Sequence, residues 1–190
     1  MSSTNAPFGL RPAFHPSGLD RAQALANGIA SAYAVDILKG QPVKLNTSGV
    51  IVVAAAGDSF QGAFAGVEFT DTTGRRRVSN SWPANTAYQT GSCVAYFYND
   101  PNIVYEIQAD GSLAQTSIGD QADLSATTAG STTTGLSQCT LSTSLAGSGA
   151  SAQMRIVDLA PYPDNAWGDA YTIVRATINE SQYQATVNAI

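Results

Sequence analysis

Gly91-Ser92-Cys93-Val94-Ala95-Tyr96-Phe97-Tyr98-Asn99-Asp100-Pro101-Asn102-Ile103-Val104-Tyr105-Glu106-Ile107-Gln108-Ala109-Asp110-Gly111 reads as two apolar strands joined by a turn. Val94, Tyr96 and Tyr98 alternate with Ala95 and Phe97 before the turn. After it, Ile103, Tyr105 and Ile107 alternate with Val104, Glu106 and Gln108, the period of two that strands require. Asn-Asp-Pro supplies side-chain bonds to backbone and a fixed φ, so the stretch predicts a β-hairpin. Such a unit builds a scaffold.

Working outward, Ile29, Ser31, Tyr33, Val35 and Ile37 alternate with small residues and predict strand. Pro42–Leu45, Val50–Ala55 and Gly62–Phe69 follow, separated by turns at Lys39-Gly40, Thr47-Ser48-Gly49 and Gly57-Asp58-Ser59. Short strands at this spacing predict a compact β unit over 29–69. Asp20 to Gly28 has the ends of a two-turn helix, Asp20 as N-cap and Gly28 as C′. Residues 111–151 are rich in Ser, Thr, Gly and Ala without apolar periodicity, which predicts a long loop or a weakly packed ribbon. A strong pattern then returns with Leu136, Cys139 and Leu141, followed by Met154–Leu159, a turn over Pro161–Asn165 and Tyr171–Asn179, and the last two runs are expected to pair. The expected fold is all-β, a small β-barrel or β-sandwich. It divides into an extended N-terminal arm over 1–28, a β-rich domain over 29–179 and a C-terminal tail over 180–190.

Only 12% of the 190 residues are charged, against roughly 25% in an average soluble domain. A surface made of small polar residues points to one covered by copies of itself or by a larger partner. A net charge of −5 argues against nucleic acid, whose binders need a positive field. No apolar run reaches membrane length and no signal segment opens the chain, so synthesis in the cytoplasm is expected. Cys93 and Cys139 fit buried thiols better than a disulfide framework or a zinc site. The Asn-x-Ser sequons at Asn46 and Asn179 read as chance matches.

The chain offers little catalytic chemistry. His15 is the single histidine, and no Ser, Cys or carboxylate motif beside it makes a general base. Asp120 with Asp123 forms a conceivable carboxylate pair. Asp164-Asn165-Ala166-Trp167-Gly168-Asp169 lacks the acidic density of a calcium loop, so a turn anchored by Trp167 is expected. No catalytic residue, cofactor or metal site is assigned, and no enzymatic activity is expected. Trp82, Tyr88, Trp167 and Tyr171 could stack on sugar rings, which keeps a carbohydrate- or receptor-binding module as the alternative. Arg75-Arg76-Arg77, after a Thr72-Thr73-Gly74 turn, is read either as a solvated hairpin edge or as a docking patch for an acidic partner.

Several pieces together resemble the decoration, or cement, proteins of tailed-bacteriophage heads. They are Asn5-Ala6-Pro7-Phe8-Gly9-Leu10-Arg11-Pro12, Gly40-Gln41-Pro42-Val43, Asn99-Asp100-Pro101 with Tyr105-Glu106-Ile107-Gln108, Arg155–Leu159, and Asn165–Tyr171 through Ile178-Asn179. The resemblance implies a β-rich protomer, usually a homotrimer, on the capsid exterior of a virion. Its partners would be the major capsid protein and itself, with neither nucleic acid nor membrane involved. Within it, Phe8, Leu10, Arg11 and Phe14 of the arm, and Arg75, Arg76 and Arg77, are the candidate docking residues. The competing expectation is that the arm packs on its own domain or on a neighbouring protomer.

Overall fold

The computed structural model describes residues 2–18 and 21–184. Fourteen strands and one 3-10 turn (Gln115–Ser117) occur among them, and no closed barrel. The strands are β1 Arg11–Phe14, β2 Gln23–Ala26, β3 Pro42–Leu45, β4 Ile51–Val53, β5 Gly62–Thr70, β6 Arg76–Ser79 and β7 Val94–Tyr98. After them come β8 Val104–Gln108, β9 Gln121–Ser125, β10 Gly130–Ser131, β11 Leu136–Ser137, β12 Thr140–Leu145, β13 Met154–Leu159 and β14 Ile173–Ile178. One antiparallel sheet runs β1-β8-β14-β13-β9-β12. The other runs β2-β7-β5-β3-β4, with β6 on the free length of β5, and β10-β11 is a separate ribbon. Pairing of β13 with β14 is as the sequence predicts.

The deciding stretch does form two strands, but they do not pair as a hairpin. β7 lies between β2 and β5, and β8 between β1 and β14, so neither has an edge left for the other. The Asn-Asp-Pro-Asn turn is therefore a crossover between sheets. Asp100 accepts the Asn102 N–H at 2.9 Å on its carboxylate and the Ile103 N–H at 3.2 Å on its carbonyl, which bends the chain there.

Each sheet has its own core. The first gathers Tyr105, Ile107, Leu124, Leu141, Met154, Ile156, Val174 and Ala176 with Leu10 and Phe60. In the second, Val43, Ile51, Phe64, Val67, Ala95 and Phe97 lie under Ile29, Ile37 and an edge-to-face cluster of Phe69, Trp82 and Tyr88. Ala63 and Tyr98 face the first core while their neighbours Phe64 and Phe97 face the second, so β5 and β7 join the two bodies.

Three further expectations are corrected. The proposed helix after Asp20 is strand β2 over Gln23–Ala26; Asp20 itself lies outside the described residues. With one large apolar residue, Leu25, two helical turns had little to bury, whereas the edge of β7 satisfies the backbone. Residues 29–37 are irregular: Ala32 takes φ 58° and Tyr33 N–H turns back to Ala30, while Ile29 and Ile37 both reach the second core. The Ser/Thr/Gly-rich segment supplies β9 and β12 as well as the ribbon, with Ala122, Leu124, Cys139 and Leu141 buried.

Buried glutamines hold the irregular parts to the sheets. Gln153 accepts the Leu124 N–H at 2.9 Å and donates to the carbonyls of Ala55 and Asp58 at 2.9 and 2.7 Å. Gln108 accepts the Ala6 N–H at 2.9 Å and donates to the Thr4 carbonyl at 3.0 Å. A primary amide presents the donor and acceptor that a neighbouring strand otherwise would.

Candidate functional site

The N-terminal candidates lie on the molecule's own first sheet. Ser2 is buried, its carbonyl accepting the Tyr171 N–H at 2.7 Å and its hydroxyl bonding Asp169 and the Asp164 carbonyl. The chain then passes over Gln108 and enters the sheet as β1, pairing Arg11 with Glu106 and Pro12 with Tyr105. This cover explains why every residue of β8 is buried.

Beneath the cover Glu106 is the centre of a charged cluster. Its carboxylate takes a 2.7 Å bond from Arg11 and a bond from the Tyr162 hydroxyl. Arg175 lies 3.6 Å away, an ion pair too long for a hydrogen bond. The Arg11 guanidinium sits 4.5 Å from the Phe8 ring centre and that of Arg175 5.4 Å from Phe14, both cation–π contacts. Leu10 is wholly buried, Phe8 is half-buried, and Phe14 and the Arg11 side chain remain partly open. The four are therefore brought together as a wall of the body. The signal for the rest of the cluster was Glu106 itself, a charge inside an apolar strand that demands cations.

Phe8, Leu10, Arg11 and Pro12 line one side of a cavity of about 440 Å³, and Lys39, Gly40, Phe64, Tyr98 and Leu136 complete it. Gly40 fixes the floor: its carbonyl accepts the Leu10 N–H and its N–H bonds the Phe64 carbonyl, each at 2.8 Å, at φ 83°. Leu136 is 46% exposed at the rim. Sequence reading missed Lys39, Phe64, Tyr98 and Leu136 because their meeting depends on contacts far apart in the chain.

The three arginines are divided. β6 is an edge strand and all three residues are exposed. Arg76 pairs with Glu68 at 2.7 Å and Arg77 with Asp71 at 2.9 Å, while the Arg75 side chain has no ion pair among the described residues. Asp71 shapes the turn, its carboxyl held well below the usual range by the Thr73 hydroxyl and the Arg75 N–H.

The outer face of the second sheet carries little charge. Because Ala95 and Phe97 point into the core, Val94 and Tyr96 point away, together with their partners Ala24, Ala26, Gly66 and Glu68, and with Val78 opposite Glu68. Val78 is 74% exposed. Glu68 on this face is paired with Arg76 at 2.7 Å.

The other candidates serve structure. His15 lies 3.0 Å from Asp100 and its Nδ1 accepts the Ser17 N–H at 3.0 Å, fastening the end of β1 to the crossover. Asp123 accepts the Gln153 N–H, and Asp169 accepts the Ala166 N–H beside its bond from Ser2. Trp82 is fully buried and so is not a sugar-stacking platform, while Trp167 is half-buried against the first core. No cluster of metal-ligating side chains occurs among the described residues, and none of their helices is long and apolar enough to cross a membrane. No protein-family model, curated protein or solved structure matches the chain.

Proposed function

We propose that the chain is a structural virion protein that coats the outside of a phage capsid as a homo-oligomer, a trimer by the resemblance above, and cements neighbouring major capsid protein subunits. The observation that carries this reading is the outer face of the second sheet, where Ala24, Ala26, Gly66, Val78, Val94 and Tyr96 surround the Glu68–Arg76 ion pair. A face dominated by small and apolar groups supports close contact with another protein surface. An extensively hydrogen-bonded all-β body suits a mechanical role. A trimer touching several coat subunits adds binding free energy that must be lost before they separate, and multivalency compounds modest contacts.

Light scattering of the purified protein, followed by sedimentation with undecorated capsids of its phage, tests the proposal. The expected result is a stable oligomer that co-sediments and raises the temperature at which the capsids open. A monomer that stays in the supernatant would overturn it.

A further inference from the structure

The N-terminal residues are committed to their own sheet, which reverses the expected direction of docking. Leu10 is buried, Arg11 is tied to Glu106, and Phe8 is held against Arg11, so these side chains form a receptor wall. The cavity they share with Phe64, Tyr98 and Leu136 is apolar-walled and of side-chain size. At its edge stands Lys39, an exposed cation with no ion pair among the described residues. Arg11 is held by Glu106 at 2.7 Å, whereas the Lys39 ammonium is tied to no carboxylate among the described residues and is the group placed to meet a negative charge.

Backbone bonds through Gly40 fix the floor, and the Lys39 backbone is held by the ribbon, its N–H to Gly135 and its carbonyl from Ser137, at 2.9 and 3.0 Å. The backbone lining the pocket is thus held in place before binding, which limits the ordering cost to the rim side chains.

We propose that this cavity receives an acidic segment of a protein partner: a large apolar side chain enters between Phe8, Tyr98 and Leu136, and an adjacent carboxylate pairs with Lys39. The inference deepens the cementing reading and rests on it only for the partner being a coat subunit.

The test uses the full chain and 3-phenylpropionate, a ring with one carboxylate, followed through backbone amide shifts in NMR. Shifts are expected at Phe8, Lys39, Gly40 and Leu136. Lys39→Met, which keeps the apolar stem, should weaken binding at least fivefold, while 3-phenyl-1-propanol should bind both proteins equally. Leu136→Asp, at an exposed rim position, should repel the acid without unfolding the chain. Unchanged amides at the cavity, or equal affinity of Lys39→Met for the acid, would overturn the inference. Capsid co-sedimentation separates the two readings. Capsid binding without probe binding removes the pocket alone, and probe binding without capsid binding leaves the pocket standing and removes the cementing role.

Discussion

At the scale of single residues, the tightest constraint is Gly62, at φ 155° where β5 begins. A Cβ there would lie 1.5 Å from the Tyr98 carbonyl oxygen. No side-chain rotation relieves an overlap with backbone, so β5 and β7 would have to separate where they join the two bodies. Gly62→Ala is therefore expected to cost of order 3 kcal/mol or more, read as a lowered urea midpoint. Leu10 and Phe14 give a contrast within one segment. Leu10→Ala empties a site in the first core and is expected to cost about 2–5 kcal/mol. Phe14 is 42% exposed, so Phe14→Ala should cost less than Leu10→Ala. Equal losses for the two would mean that the N-terminal segment is not seated on its own sheet in solution.

At the scale of elements, Gln153 tests how irregular segments are tied to strands. Gln153→Met preserves bulk but leaves the Leu124 N–H and the carbonyls of Ala55 and Asp58 without their partner. Unpaired buried groups of this kind make a loss of roughly 1–3 kcal/mol the expectation, measured by chemical denaturation. The same class of bond accounts for what the sequence hid. Alternation in Gly62–Thr70, Val94–Tyr98, Val104–Gln108 and Met154–Leu159 was legible because one large residue in two marks a buried face. Leu136 and Leu141 stood out and fall in β11 and β12, whereas in β9 the marks were Ala122 and Leu124 alone, too sparse among small and polar residues to read. At Ile29–Ile37 the alternation was accidental, since its two ends are anchored without a ladder between them. The 94–108 pair misled for another reason: local turn chemistry fixes a bend, while the choice of partner strand is made by the whole sheet. Of the candidate surface, the arginine edge was legible as a charged run after a turn. The Glu106 cluster and the Lys39 cavity needed tertiary contacts.

At the scale of the whole molecule, burial and charge set how the chain answers to solution conditions. Cys93 and Cys139 are both fully buried free thiols, and desolvation pushes Cys139 up to about 12 and Cys93 upward as well. A thiol reagent at mild alkaline pH is expected to leave the native chain unlabelled and to label both cysteines in urea. Acid acts through the aspartates. Asp58 is lowered by its bond from Lys44, Asp100 by the Asn102 N–H, and Asp169 by the Ser2 hydroxyl. In each the folded state favours the carboxylate, so the unfolded chain binds protons first as pH falls. Their contribution is fully present above the ordinary aspartate value of about 3.9 and is lost as pH drops through the lower folded values. The urea midpoint should therefore hold steady from neutrality to about pH 5 and fall progressively below about pH 4. Asp58→Asn cannot form the 2.7 Å ion pair with Lys44. It should start from a lower midpoint at pH 7 and lose less on acidification than the native chain. Parallel acid limbs for the two proteins would show that protonation of Asp58 is not coupled to folding.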